Sequence, residues 1–251
     1  MENNNWIGYN ELAWVDPIIA PPEDFAAEAE KLGRLIRDNS RINPQTLLHL
    51  ASGAGLNDYT FKKYFQVTGV DISDGMLEVA RQINPEVEYC KGDMRSINLN
   101  KKFDAVACTE AIGYMLTLED TRKAVSTACR HLKEGGVFLF TAQLKEEFRE
   151  NNFAYTGSKD DIEITVFENN YRPDPESNIY EATMIYLIRR KGELEIYTDL
   201  HRCSLFNKET WLKLLEEFGF EIIEDRITDT YDPFIMGEGS YPVQVFTFIK
   251  K

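Results

Sequence analysis

The small residues at positions 51–55 are the part of this sequence best suited to hold a ligand. An apolar run at 46–50 precedes them, long enough for one buried strand, and a helix-like run follows. Small residues at such a junction let a ligand approach backbone amides at the start of a helix. A second apolar run, residues 67–70, ends on Asp71, where an acid can hydrogen-bond a ribose diol. The spacing therefore predicts a cofactor that contains a nucleoside.

The same turn argues against a dinucleotide as that cofactor. A dinucleotide-binding fingerprint needs a third small residue three positions after its second glycine, so that the helix packs closely on the strand. Gly53 and Gly55 supply two glycines, but the third position holds Asp58. This disfavours an NAD(P)-dependent oxidoreductase. On this turn alone, a tight connection between strand and helix that binds no ligand is the alternative.

Three further motifs follow Asp71 along the chain. They are Ile72–Ala80, Tyr89–Met94 with its Gly-Asp-Met ending, and Phe103–Val106. With the small-residue turn, these motifs resemble those of the class I S-adenosylmethionine-dependent methyltransferases, over roughly Trp6–Lys250. The order and spacing of four motifs are more specific than any one of them. The resemblance implies S-adenosylmethionine (SAM) as the cofactor.

The resemblance also implies which residues hold that cofactor. It places the methionine half in the small-residue turn and the ribose at Asp71. The adenine ring would lie between Ile72 and Met76, with Asp93 accepting from its amino group and Met94 beside it. The full predicted set is Ala51, Ser52, Gly53, Gly55, Asp71, Ile72, Met76, Asp93, Met94 and Thr109.

Within that family, the sequence is most similar to small-molecule N-methyltransferases, such as the N,N-dimethyltransferases of nucleotide-linked amino sugars. The shared features are a short N-terminal cap, the tripeptide Ile112–Tyr114 after the fourth strand, and a β-rich insertion that ends at Leu205 and Phe206. One position departs from the family, because His49 stands where an acid usually ends the first strand. Either the change is tolerated because the cradle is mostly backbone, or it alters cofactor binding.

The loop after the fourth strand and the N-terminal cap are the predicted acceptor site. Ligands in open α/β sheets lie outside the carboxyl ends of the strands, so Thr109, Glu110 and Tyr114 should face the transferred methyl group. Tyr9 and Trp14 are the predicted substrate contacts from the cap, with core packing as the alternative. An amine acceptor has no obligatory need of a base, whereas a hydroxyl acceptor does. The candidate bases are Glu110, Tyr114 and His201.

The composition limits the classes of protein to which this sequence can belong. With 251 residues and 43% hydrophobic content, the chain can bury a full core as one domain with an insertion. Its net charge of −14 argues against nucleic acid or an anionic membrane as a partner. The sequence shows neither a signal peptide nor an apolar run of about 18 residues, and its four cysteines are dispersed. We therefore expect a cytoplasmic protein with reduced thiols, and no metal site, because no cluster has metal-ligand spacing.

The alternation of strand and helix signals predicts an α/β fold with a doubly wound, Rossmann-like sheet. The resemblance implies seven strands, mostly parallel. After residue 161 the apolar period changes to two, which predicts an antiparallel β-meander of three strands inserted in this fold. Strands are expected near 46–51, 67–71, 86–90, 103–108, 137–141, 162–167, 180–188, 194–200, 220–226 and 243–249, with helices near 23–37, 57–65, 74–82, 119–132 and 208–218.

Three segments with different roles follow from this organisation. Residues 1–142 form the cap and the cofactor-binding core, residues 143–206 form the insertion, and residues 207–251 complete the core sheet. The insertion should serve as a substrate lid or a dimer contact. The expected function is methyl transfer from SAM to a small-molecule amine. The alternatives are a small-molecule O-methyltransferase and a non-catalytic SAM-binding protein, and a homodimer is possible for each.

Overall fold

The computed structural model describes residues 6–219, 221–228 and 230–251. Its larger sheet consists of β1 (Thr46–Leu50), β2 (Gln66–Asp71), β3 (Glu88–Lys91), β4 (Phe103–Cys108), β5 (Leu132–Ala142), β10 (Glu221–Ile227) and β11 (Val243–Ile249). These seven strands lie in the order β10-β11-β5-β4-β1-β2-β3. The strands from β1 to β5 pair in parallel, and β11 is antiparallel to both of its neighbours. The predicted seven-stranded, mostly parallel sheet is confirmed.

Helices cover both faces of this sheet, so it is doubly wound. They are α2 (Ala26–Asn39), α3 (Asp58–Phe61), α4 (Asp74–Ile83), α5 (Leu118–His131) and α6 (Lys208–Glu216), while the short α1 (Asp16–Ile19) packs on the second sheet described below. The helices α2, α3 and α4 pack on one face of the sheet through Leu32, Phe61 and Leu77, respectively. Val125 and Trp211 carry α5 and α6 onto the other. Burial of these apolar stripes is what orients the helices.

The centre of the sheet brings together the ends of strands that are distant in sequence. β1 lies between β2 and β4, with Leu48 in register with both Thr68 and Val106. The strands β2 and β3 continue from β1 toward one edge of the sheet, whereas β4 and β5 continue toward the other, which makes this a topological switch point. The residues that end the three strands therefore share one edge, where open α/β sheets bind ligands.

A second, antiparallel sheet stands in the insertion, with four strands where the sequence predicted three. Its strands are β6 (Asn151–Lys159), β7 (Ile162–Tyr171), β8 (Ile179–Arg190) and β9 (Glu193–Ser204), in chain order. The prediction missed β6 because this segment is mostly polar and small, with little alternation. β6 is stabilised by pairing with β7 along its whole length. The pairs run from Asn151 opposite Asn170 to Lys159 opposite Ile162.

The second sheet faces the cap with one side and solvent with the other. Its inner side packs Ile164, Val166 and Tyr186 against Leu12 and Val15 of the cap. β9 also contacts the short 3₁₀ turn Ile112–Tyr114 that follows β4. The inner side of this sheet therefore approaches the ligand-binding edge of the larger sheet.

Several element lengths differ from the sequence prediction, and β7, β8 and β9 all run longer than expected. The helix expected near 57–65 is only α3, because the chain turns from Lys62 onward into β2. β5 begins at Leu132 rather than near residue 137, after an irregularity in its register with β4. The position predicted to start the strand before the last, Phe220, lies outside the described residues. No helix in the described ranges is long and apolar enough to cross a membrane.

Candidate active site

The turn after β1 has the conformation that its small residues suggest. Ala51, Gly53 and Gly55 all have positive φ angles, of 52°, 54° and 74°. A Cβ at Gly55 would lie 2.5 Å from the Tyr89 Oη atom, so this position needs glycine for space as well as conformation. A Cβ at Gly53 would meet nothing within 4 Å, so the turn opens there. The Ser52 Oγ atom is buried without a hydrogen-bond partner among the described residues.

Asp71 joins the end of β2 to this turn. One carboxylate oxygen accepts from the Gly53 N–H at 2.9 Å and the other from the Ser73 N–H at 2.9 Å. Burial raises the pKa of Asp71, and these two hydrogen bonds oppose that shift without cancelling it. Each oxygen keeps a second lone pair, so Asp71 can accept from two ribose hydroxyls while it shapes the turn.

The side chains predicted to enclose adenine lie directly after Asp71 or beside β3. Ile72 leaves 54% of its side chain exposed, an apolar surface that a bound ring would cover, while Met76 is buried in α4. Asp93 accepts several hydrogen bonds from Arg95, which outweigh the effect of burial and lower its pKa. An adenine amino group would therefore share the Asp93 carboxylate with Arg95. Met94 packs against the larger core cluster.

His49 has a carboxylate partner that the sequence did not connect with it. Its Nδ1 atom lies 2.7 Å from Asp58 Oδ1, and both side chains are buried. The second Asp58 oxygen accepts from the Tyr89 hydroxyl at 2.9 Å. Asp58 is the residue that departs from the dinucleotide-binding pattern. It places a carboxylate beside the end of β1, where the methyltransferases that this sequence resembles usually have an acidic residue. The His49 Nε2 atom contacts Thr109 Oγ1 at 2.9 Å and so links the turn to the end of β4.

Glu110 occupies the position expected to face the transferred methyl group. Its φ angle is +57°, and its N–H donates to Thr141 Oγ1 at 2.7 Å. Glu110 is exposed at the carboxyl end of β4. Desolvation by the surrounding protein raises the pKa of Glu110 well above the usual value, and the charges of Glu28 and Glu168 add to that shift. A strained backbone under a carboxylate with a perturbed pKa is typical of a functional position.

A chain of hydrogen bonds crosses from the cap to the second sheet. The Tyr9 and Tyr114 hydroxyls lie 2.6 Å apart, and the Tyr114 hydroxyl lies 2.8 Å from His201 Nδ1. The His201 Nε2 atom lies 3.0 Å from a carboxylate oxygen of Asp199, which also accepts from the Gly8 N–H. When the Nε2 atom of His201 donates to Asp199, its Nδ1 atom accepts a hydrogen bond from the Tyr114 hydroxyl. Burial raises the pKa of both tyrosines well above the usual value, so both are neutral phenols.

The structure brings Tyr9, Tyr114 and His201 together but leaves Trp14 elsewhere. The Trp14 ring lies under the Arg190 guanidinium, 4.7 Å from it, near the far end of β8. Another tryptophan of the cap, Trp6, stacks on His201 with ring centroids 5.4 Å apart. No signal in the sequence singled out Trp6, because contacts between segments 195 residues apart depend on the fold.

The arrangement fits SAM at the edge of the larger sheet. The open turn suits the amino-acid end, Asp71 has free lone pairs for a diol, and exposed Ile72 offers an apolar surface to a base. Glu110, just after β4, lies next to this edge. Among the described residues, no group of three His, Cys, Asp or Glu side chains could hold a metal ion.

Comparisons with known proteins agree with this geometry. Residues 48–140 match the family model described as a methyltransferase domain. The dTDP-4-amino-2,3,4,6-tetradeoxy-D-glucose N,N-dimethyltransferase of Saccharopolyspora spinosa is 29% identical over 204 residues, which span 78% of this chain and 79% of that protein. The dTDP-3-amino-3,4,6-trideoxy-alpha-D-glucopyranose N,N-dimethyltransferase of Streptomyces venezuelae is 37% identical over 119 residues, 47% of this chain and 50% of that protein. The sugar N-methyltransferase KedS8 from Streptoalloteichus sp. has the same fold, with a TM-score of 0.77 at 22% identity, covering 96% of this chain and 92% of that chain.

Proposed function

This chain carries a SAM-dependent methyltransferase domain, and we propose that it methylates the amine nitrogen of an amino-sugar acceptor. The observation that carries the proposal is Glu110, an accessible carboxylate on a strained backbone just after β4 and beside the predicted cofactor turn. A carboxylate at this position attracts the ammonium group of an acceptor. The relatives named as amino-sugar N,N-dimethyltransferases support an amine rather than a hydroxyl as the acceptor.

The protein's part in the reaction is to bind, orient and receive a proton. When bound, SAM supplies a methyl group that is already activated by its sulfonium. The predicted turn and Asp71 hold the cofactor, while Glu110 orients the acceptor nitrogen. An acceptor that enters as an ammonium ion must lose a proton before it can react, and Glu110 receives it. Its raised pKa makes it a stronger base than a carboxylate with the usual pKa. The surrounding protein limits the access of water.

The segments defined by sequence have distinct parts in this proposal. Residues 1–142 hold the cofactor, residues 143–206 form the wall of the acceptor cleft opposite it, and residues 207–251 complete the larger sheet. The hydrogen bonds from Tyr9 through Tyr114 to His201 support this assignment, since they fasten the cap to the insertion. The net charge of −14 and four free cysteines support a small-molecule partner in the cytoplasm.

Calorimetry followed by a transfer assay tests the function. We expect micromolar binding of SAM and of its demethylated product, with no binding of NADH as a control. Methyl transfer is then measured with an amino sugar and with the matched sugar that carries a hydroxyl in place of the amine. Transfer to the amine alone is expected. Transfer to the hydroxyl alone would contradict the proposal, and so would an absence of SAM binding.

The outer side of the second sheet supports a homodimer. Ile185, Leu194, Ile196 and Leu200 are between 39% and 61% exposed on two neighbouring strands. Contiguous apolar surface of this kind is typical of interaction sites. We infer that a second copy of the chain covers it.

Ile196→Asp is expected to give a monomer. The charge would be buried without a partner at the centre of the inferred interface, which disfavours association. Light scattering after size exclusion measures the mass. Leu118→Asp, at an exposed leucine on α5, is the matched control and should leave the mass unchanged. A native chain that is already monomeric at high micromolar concentration would contradict the inference.

A further inference from the structure

Four side chains form one continuous chain of polar contacts between the cap and the second sheet. The Tyr9 and Tyr114 hydroxyls lie 2.6 Å apart, and the Tyr114 hydroxyl lies 2.8 Å from His201 Nδ1. The His201 Nε2 atom lies 3.0 Å from Asp199 Oδ2. The His201 side chain is fully buried and that of Asp199 is 9% exposed, whereas both tyrosines are only partly buried. The chain therefore has a buried end at Asp199 and an accessible end at the tyrosines.

Asp199 fixes the tautomer of His201. The Asp199 Oδ2 atom also accepts from the Gly8 N–H at 2.8 Å. Although burial acts against them, the hydrogen bonds from His201 and Gly8 lower the pKa of Asp199, so it is an ionised acceptor. The buried His201 Nε2 atom faces this oxygen and has no other partner among the described residues. A lone pair on Nε2 would be repelled by the carboxylate, so the proton of the neutral imidazole lies on Nε2.

The direction of the other hydrogen bonds follows from this tautomer. The His201 Nδ1 atom carries no proton, so it accepts from the Tyr114 hydroxyl, and the Tyr114 oxygen then accepts from the Tyr9 hydroxyl. Each proton points toward Asp199, and the Tyr9 oxygen keeps a lone pair for which the described residues supply no donor. Hydrogen bonds that point the same way polarise one another. The carboxylate at the buried end therefore makes the Tyr9 oxygen a stronger acceptor.

The accessible end of the chain lies at the ligand-binding edge of the larger sheet. The backbone carbonyl of Tyr9 accepts from the hydroxyl of Ser73, two residues after Asp71 at the end of β2. The Tyr9 side chain reaches Tyr114, which follows β4. Because β1 and its small-residue turn lie between β2 and β4, the two phenols border the predicted cofactor site.

We propose that the Tyr9 oxygen accepts a hydrogen bond from the acceptor nitrogen and that this bond depends on Asp199 and His201. These two act through Tyr114 as positioning residues, and the inference rests on the proposed function. After Glu110 has received a proton, the neutral amine keeps an N–H group for Tyr9 and a lone pair for the methyl carbon. The nitrogen becomes positively charged as it bonds to that carbon, so its hydrogen bond to Tyr9 is strongest in the transition state. The gain therefore affects kcat more than KM.

NMR of the imidazole nitrogens tests the direction of the chain in the intact protein. The sequence contains three histidines, and His49 and His131 both face acceptor oxygens through Nδ1. At neutral pH we expect two imidazoles protonated at Nδ1 and one at Nε2. The Nε2 signal should be absent from His201→Phe, which keeps a ring to stack on Trp6. Protonation of His201 at Nδ1, alone or together with Nε2, would overturn the inference.

Asp199→Asn tests the effect on the reaction with an amino sugar as the acceptor. The amide has the same size but no charge, so kcat should fall about tenfold while KM and SAM affinity stay within about twofold of native. Asp161→Asn, at an exposed acid before β7, is the matched control and should leave kcat unchanged. Native kcat in Asp199→Asn would overturn the inference and leave the proposed function standing. No transfer by the native protein, with SAM bound, would contradict the proposed function itself.

A double variant distinguishes action through Tyr114 from an independent structural role. Tyr114→Phe removes the hydroxyl that joins His201 to Tyr9, and it should lower kcat by itself. The further change Asp199→Asn should then alter kcat by less than about twofold, because Asp199 has no remaining connection to Tyr9. A second loss of about tenfold in the double variant would show that Asp199 acts by another route, and it would overturn the inference.

Discussion

Asp71→Asn is expected to weaken SAM binding about 100-fold. The carboxylate accepts from the Gly53 and Ser73 N–H groups, and its remaining lone pairs are available to the ribose. An amide keeps one acceptor oxygen but turns an NH₂ group toward one of these donors. The turn and the ribose then each lose a hydrogen bond to a charged group. Such bonds contribute about 1.5–3 kcal/mol each, and a loss of about 3 kcal/mol corresponds to the expected factor.

Titration calorimetry with SAM and its demethylated product measures this effect. Asp74→Asn is the matched control, since Asp74 is the next acid along the chain but is largely exposed and paired with Lys91. It should bind SAM as the native protein does. Thermal unfolding distinguishes lost binding from a lost fold. Native affinity in the Asp71 variant would remove this residue from the cofactor site.

The parts of the fold that the sequence could predict are those with local causes. β4 and β11 were predicted with their observed bounds, because each is a mostly apolar run of six or seven residues with polar or turn residues at its ends. β6 was missed because its stability comes from pairing with β7, and the residues of β6 alone do not indicate this pairing. α3 ends at Phe61, before its predicted end, because the chain turns from Lys62 onward so that β2 can pair with β1.

The same distinction holds for the site. The conformation of the turn and the position of Asp71 beside it could be predicted because they depend on neighbouring residues in a short motif. The contact of Trp6 with His201 could not, because it joins segments far apart in sequence. An alternating strand gives no sign of which polar residue faces inward at a ligand until its register is known.

His49→Asp is expected to destabilise the fold by about 3–5 kcal/mol, which is the usual cost of leaving a buried charge without its partner. The new carboxylate would face Asp58 across a contact that is now 2.7 Å from nitrogen to oxygen, with both side chains buried. Two carboxylates there cannot both be ionised, and Thr109 loses the His49 nitrogen that it contacts. Urea denaturation at neutral pH measures the change in the free energy of unfolding.

The double variant His49→Asp with Asp58→Asn separates the fold from cofactor binding. It restores a single carboxylate at the position where the family has its acid, and it leaves the Asp58 site an oxygen that can accept from Tyr89. Most of the lost stability should return. SAM affinity within about threefold of native would show that Asp58 already does the work of the missing acid. If the double variant stays as unstable as His49→Asp, charge repulsion is not the cause, and the pairing of His49 with Asp58 is not what holds this turn.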